Sequence, residues 1–243
     1  MTDPIRIFIG TSSNNEDVEA EMVLEYSLRT NTDRELDITW MRQTHDEESP
    51  WGGWQTERWS TPFSGFRWAI PEVCGFEGKA IYMDVDQVNI RDIGELFDTD
   101  LNGRACGARR GARFGGHEFC VMLIDCERMC RELVSIERMK INEDIHHRYI
   151  GKFSGNADLV FDLDPRWNNH DGEGIGLDNI WHLHYTKMST QPWKPKWFTG
   201  TTEEHPREDL VKFWFNMREM ALGAGYKLKL NNDTFGDYNI IGR

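Results

Sequence analysis

The chain has 243 residues, 39% of them hydrophobic, which suffices to bury the core of one α/β domain with or without a small appendage. A formal net charge of -13 excludes wholesale phosphate neutralisation, so no nucleic-acid partner is expected. The same charge argues against electrostatic docking on an anionic leaflet. Five cysteines, an odd number with no C-x-x-C pair, exclude a disulfide scaffold and argue against structural zinc. Reduced thiols in a cytoplasmic protein fit this pattern. No signal-peptide pattern opens the sequence and no apolar run has the length of a transmembrane segment.

Ile5 to Ile9 reads as a first strand, followed by a small and polar loop, Gly10-Thr11-Ser12-Ser13-Asn14-Asn15, whose backbone can approach a ligand closely. Neither a dinucleotide fingerprint nor a phosphate-binding lysine loop is present there. Glu16 and Asp17 suit the first turn of a helix that continues through Val18, Met22, Val23 and Tyr26. With a second strand at Leu36 to Met41 this makes a βαβ unit and predicts a parallel sheet. Trp51, Trp54 and Trp59 lie in a polar, glycine-bearing stretch, where they could stack on sugar faces or plug the edge of the core; core packing is the preferred reading. Phe63 to Pro71 reads as a helix carrying Arg67.

Ala80 to Met83 has the length and type of a buried parallel strand, and it stops at Asp84-Val85-Asp86. If the segment stays extended, both acids share a face and Val85 turns back to the core. Two carboxylates side by side repel unless a cation lies between them, and a hard divalent metal is the usual solution. In open α/β sheets ligands bind beyond the carboxyl ends of strands, where these acids fall. A solvated turn is the alternative.

Beyond the acids, Asp92 to Phe97 reads as a short helical turn. The arginines of residues 103 to 117 (Arg104, Arg109, Arg110, Arg113) form a basic island, either a solvated loop, which is preferred, or a seat for an anionic group. A strand at Phe119 to Ile124 leads to a helix from Cys126 to about Met139, capped by Asp125. The stretch after Asn142 looks irregular, the glycines at 172, 174 and 176 suggest a lid-like loop, and a late strand runs from Asn179 to His184. Leu210, Phe213, Trp214, Met217, Met220 and Ala221 mark the core face of a last helix, stopped by Gly223 and Gly225.

Three groups of residues together resemble the family 8 retaining glycosyltransferases. The first runs from Phe63-Ser64-Gly65-Phe66-Arg67-Trp68-Ala69-Ile70-Pro71 through Gly78-Lys79-Ala80-Ile81-Tyr82-Met83-Asp84-Val85-Asp86 to Asp92-Ile93-Gly94-Glu95-Leu96-Phe97. The second is Leu163-Asp164-Pro165-Arg166-Trp167-Asn168. The third is His184-Tyr185-Thr186 with Lys194-Pro195-Lys196-Trp197 behind it. The resemblance covers roughly residues 5 to 200 and is thin in the middle.

It implies a GT-A fold: a Rossmann-like, mostly parallel central sheet flanked by helices, in a single domain over 1–243. About 1–200 would be catalytic core and about 201–243 a C-terminal helix and tail. It also implies a nucleotide-sugar donor, typically a uridine diphosphate sugar, and a saccharide or other hydroxyl acceptor. Mn²⁺ (or Mg²⁺) would be held by Asp84, Asp86 and His184, and the imidazole favours Mn²⁺. Ile9, Gly10, Thr11, Arg67 and Val85 would line the donor site. Lys194, or Lys187 in the other register, would add a cation to the leaving diphosphate. Retention without a clear nucleophile implies attack on the same face, with the departing phosphate accepting the acceptor's proton.

Some positions depart from the family. Asn142-Glu143-Asp144 stands where the family has Asp-Gln-Asp, and Lys187 stands where it has Gly. Glu143 and Asp144 remain the candidates for stabilising positive charge at the anomeric carbon. The departures keep two alternatives open: a nucleotide-sugar-binding protein without transfer activity, and a sugar nucleotidyltransferase. The sugar, the acceptor and the oligomeric state are not fixed by the sequence.

Overall fold

The computed structural model describes residues 3–111, 115–193 and 200–235. The chain falls into two compact units, each discontinuous in sequence. One takes Met1–Thr11, Arg34–Asp84 and Gly94–Pro165; the other takes Ser12–Asp33, Val85–Ile93 and Arg166–Arg243.

The first unit is built on a six-stranded sheet. Its strands are β1 (Ile5–Gly10), β2 (Leu36–Met41), β3 (Lys79–Asp84), β5 (Cys106–Arg110), β6 (His117–Asp125) and β7 (Val160–Leu163), in the spatial order β2-β1-β3-β6-β5-β7. β1 pairs in parallel with β2 and β3, and β5 with β7, while β6 runs antiparallel to both its neighbours. The sheet is therefore mostly parallel, as expected. Ala80, Ile81, Tyr82 and Met83 are fully buried, as a strand covered on both faces must be. The strand expected to be purely parallel has one antiparallel neighbour, β6.

The helices of this unit are shorter than the sequence predicts. Phe63 to Pro71 is a 3-10 turn over Phe66–Trp68 followed by α2 (Ile70–Val73). Pro71 has no N–H to give the Arg67 carbonyl, so one continuous helix cannot run through it. The helix expected from Cys126 to Met139 breaks as well. Asp125 caps α4 (Cys126–Met129) through Arg128 N at 2.9 Å, Leu133 is extended, and the chain resumes as α5 (Ile136–Lys140). Tertiary acceptors draw the backbone out of the helix: Val134 N donates to Tyr149 Oη at 2.7 Å and Ile136 N to Glu72 Oε2 at 2.9 Å.

Two elements were hidden by charge. The basic island is not a solvated loop over its middle, because Cys106–Arg110 is β5. There Arg109 is buried against Glu118 at 3.5 Å, and Arg110 pairs with Asp162 at 3.1 Å. Arg113 lies outside the described residues. The irregular stretch contains α6 (Asp144–Phe153), which buries His146, Tyr149 and Phe153 on one face among charged neighbours. The core holds Trp51, Trp54 and Trp59 as packing groups, their rings 5.5, 5.2 and 5.9 Å from Phe66.

In the second unit α1 (Val18–Thr30) and α7 (Glu208–Gly223) pack with a three-stranded sheet of β4 (Gln87–Asn89), β9 (His182–His184) and β8 (Asn169–His170), in that order. The late strand is shorter than expected because Leu177–Asn179 is a 3-10 turn. Leu210, Trp214, Met217 and Ala221 bury the inner face of α7. Met220, expected on that face, is 55% exposed, since its position falls off the stripe that the other four define. The remaining short helix, α3 (Ile93–Phe97), follows the acids as predicted. No helix among the described residues is long and apolar enough to cross a membrane.

Candidate functional site

The strand ends of the first unit carry Ile9, Gly10, Thr11 and Asp84. Ile9 and Thr11 are buried, and Gly10 stands opposite Asp84 in the β1–β3 register. A side chain at Gly10 would bring its Cβ to 2.5 Å from Phe63 Cδ2 and 3.0 Å from Tyr82 Oη, so close packing already demands glycine here. The Asp84 carboxylate accepts from the Tyr82 hydroxyl and lies 3.4 Å from Arg67 Nη2. Burial pushes the Tyr82 phenol well above its usual range, which keeps the proton on it as a donor. Arg67 is buried, with its guanidinium 4.4 Å from the Tyr82 ring centroid. Its Nε donates to the Ser64 carbonyl at 2.7 Å and its Nη1 to the Phe119 carbonyl. Arg67 thus braces Asp84 from inside the protein.

Glu143 and Asp144 start α6 and share one partner. Arg58 N donates to Glu143 Oε2 at 3.0 Å, and Arg58 Nη1 to Asp144 Oδ1 at 2.7 Å. The Asp144 side chain is 47% exposed.

In the second unit the extended run expected through the acids is interrupted. β3 ends at Asp84, and Val85 and Asp86 form a bend before β4 begins a different sheet. No continuous strand therefore puts both carboxylates on one face; Val85 itself is buried. What brings Asp86 to His184 is the antiparallel pairing of β4 with β9. It sets Gln87 opposite His184, and Tyr185 N donates to the Asp86 carbonyl at 3.0 Å. His184 Nε2 then lies 3.2 Å from Asp86 Oδ1.

The hydrogen bonds around this pair define its chemistry. His184 Nδ1 lies 3.0 Å from the Asn168 side-chain amide. Asp86 Oδ2 accepts from Gln191 Nε2 at 3.0 Å, whereas Oδ1 is buried and has no hydrogen bond among the described residues. A buried carboxylate oxygen without a hydrogen-bond donor favours positive charge beside it. An imidazole nitrogen and a carboxylate oxygen are suitable donors for a divalent first-row metal, so the residues present fit a cation.

Neighbouring groups reinforce the demand for positive charge. Burial pushes the Asp17 carboxyl up to about 8, helped by the negative charges of Asp86, Glu21 and Glu16. His182, fully buried on the same strand as His184, is pushed down to about 3 by burial and stays neutral. Its Nε2 is 2.7 Å from Gln87 Oε1 and its Nδ1 3.2 Å from Asn89 Oδ1. Asp17 escaped the sequence reading, where it passed for a helix-start acid. Asn168 was visible as the end of Leu163-Asp164-Pro165-Arg166-Trp167-Asn168 without a role, and Gln191 carried no signal. Lys194 lies outside the described residues. Lys187 forms an ion pair with Glu203 on the surface.

No protein-family model matches this sequence, and no curated protein matches it. Solved structures do. The glycosyltransferase GlyE of Streptococcus pneumoniae TIGR4, in its apo form, aligns over 91% of this chain with 16% identity and a TM-score of 0.63. The bifunctional glycosyltransferase WbbM aligns over 90% with 12% identity and a TM-score of 0.62. The galactosyltransferase LgtC, in complex with donor and acceptor sugar analogues, aligns over 89% with 15% identity and a TM-score of 0.59.

This chain has the GT-A glycosyltransferase fold.

It spans 50% of the WbbM chain, 63% of GlyE and 96% of LgtC. In the GT-A chain, Asp84 stands at the end of a central strand and Asp86 two residues beyond it, just before β4.

Proposed function

We propose that this protein is a metal-dependent retaining glycosyltransferase of the family 8 type, which moves a sugar from a nucleotide diphosphate sugar, a uridine diphosphate sugar first, to a hydroxyl acceptor. The observation that carries the reading is the Asp86 carboxylate, whose Oδ1 is buried without a hydrogen bond among the described residues and lies 3.2 Å from His184 Nε2, in a chain with this fold. Asp86 and His184 would hold Mn²⁺ or Mg²⁺, with Asp84 as the third ligand from two positions earlier in the chain. A bound divalent ion supplies charge neutralisation for a leaving diphosphate. Arg67 and Tyr82 hold the Asp84 carboxylate in place. Ile9, Gly10, Thr11 and Val85 are assigned to the donor site on the resemblance, and Lys194 to the leaving group. Glu143 and Asp144 are assigned to the positive charge that develops at the anomeric carbon. Retention then places the acceptor on the face that the diphosphate leaves, so that a phosphate oxygen takes the hydroxyl proton.

The test is donor turnover. Incubation with a panel of nucleotide sugars and Mn²⁺ should release nucleoside diphosphate from one of them. Asp86→Ala and His184→Ala should each lower that release by about 10²-fold or more. Full release by either variant would sink the metal assignment. One observation favours a second reading, binding without transfer: the Asp84 carboxylate is already engaged by Tyr82 and Arg67. Under that reading no donor turns over, while one of them still raises the melting temperature in a Mn²⁺-dependent way.

A further inference from the structure

Within the first unit, the link between α4 and α5 leaves a cavity of about 300 Å³ beside α2. That is the lower end of the range for small-molecule sites. Trp68 and Met139, both almost fully buried, join Leu133 and Val134 in an apolar lining. The lining also contains Glu72, the only Asp, Glu, Lys, Arg or His among the described residues that form it. Glu72 Oε2 accepts from Ile136 N at 2.9 Å, which fixes the side chain. It makes no ion pair among the described residues. A half-buried carboxylate in apolar surroundings without a cation is costly, and a bound cation relieves that cost.

Phe76 lines the same cavity, is 43% exposed and has φ +62°. Bulky side chains rarely adopt this left-handed conformation. The turn after α2 holds it there: Phe76 N donates to the Pro71 carbonyl at 2.7 Å, and Gly75 precedes it at φ +65°. Strain and exposure together are unfavourable for an aromatic ring unless something covers it. Aromatic faces in company with a carboxylate attract an organic ammonium group. A bare metal ion would gain nothing from the apolar lining, and an anion would be repelled by Glu72.

We propose that this cavity is a binding site for a small organic amine with an aromatic body, its ammonium group paired with Glu72 and its body against Phe76, Leu133, Val134 and Met139. Glu72 selects for the charge, and the apolar walls select for the shape. The site uses none of the residues assigned to sugar transfer, so it stands or falls independently of that reading.

The experiment uses the full chain carrying ¹³C-methyl methionine, with the Met139 signal assigned by its loss in Met139→Leu. Three probes of similar shape are titrated: phenethylamine, the uncharged 2-phenylethanol and the anionic 3-phenylpropanoate. The amine should shift the Met139 methyl signal in a saturable way, the alcohol should bind about 10- to 100-fold more weakly, and the acid should not bind. Glu72→Gln, which keeps an acceptor for Ile136 N, should bring the amine down to the affinity of the alcohol. Val134→Phe, which fills the cavity, should abolish binding of both while its melting temperature shows that it is folded. No shift of Met139 by millimolar amine would overturn the proposal. So would equal affinity of wild type for amine and alcohol, a comparison that needs no variant to fold. An unchanged amine affinity in folded Glu72→Gln or Val134→Phe would overturn it as well.

Discussion

Asp86 has one oxygen satisfied by Gln191 and one buried with no hydrogen bond among the described residues, and this asymmetry concentrates the chemistry of the site at a single atom. Asp17 belongs to the same electrostatic neighbourhood. It is 4% exposed, and its carboxyl is raised from 3.8 to about 8, by burial first and then by Asp86, Glu21 and Glu16. The sign of the linkage follows. An acid whose folded value is raised binds its proton more tightly in the folded state, so its contribution is full below pH 3.8. That contribution is lost as pH rises toward 8, by up to about 1.4 kcal/mol per pH unit. Asp17→Asn should therefore gain on wild type between pH 5 and pH 8, as read by denaturant unfolding in the presence of chelator. A difference that stays constant with pH would refute the assignment.

At the scale of elements, the end of β1 is shaped by packing as much as by any ligand. Gly10→Ala would drive a methyl group into Phe63 and the Tyr82 hydroxyl, and Tyr82 is the residue that donates to Asp84. The expected cost is about 1–3 kcal/mol, visible as a lower denaturation midpoint with an unchanged slope. A neutral result would mean that Phe63 can move aside. The same logic explains the broken helices. α2 starts anew at Ile70, with Pro71 in its first turn, and the segment between α4 and α5 gives backbone donors to Tyr149 and Glu72. Local helical periodicity was present in both places, and distant acceptors overrode it.

For the molecule as a whole, a charge of -13 raises the local concentration of cations and makes a stabilising metal plausible on general grounds. A specific site makes a sharper demand. Mn²⁺ at about 100 times its dissociation constant should stabilise the protein by about 2.7 kcal/mol. For a chain of this size that is a rise in melting temperature of about 5–10 °C. Chelator should reverse the rise and His184→Ala should abolish it. If the variant keeps the full shift, the stabilisation is nonspecific and does not come from the β4–β9 site.

By itself the sequence determined the strands with short, uninterrupted apolar runs and the acids that close one of them. Ile5 to Ile9 and Ala80 to Met83 are buried on both faces apart from Arg6, and Leu36 to Met41 is buried at its two ends, so the apolar residues mark all three. It also marked α1 and α7, whose apolar residues recur at helical spacing over 13 and 16 residues, although α1 is buried nearly all round. β5 and α6 were not legible, because Arg109, Arg110, His147 and Arg148 are polar or charged side chains that find partners or solvent only once the chain has folded. The candidate site divides in the same way. Asp84, Asp86 and His184 could be named from their motifs, but that Asp86 meets His184 depends on a strand pairing across nearly a hundred residues. Which Asp86 oxygen has a hydrogen bond was decided by Gln191, since hydrogen bonds to a buried group are set by whatever the tertiary structure places beside it.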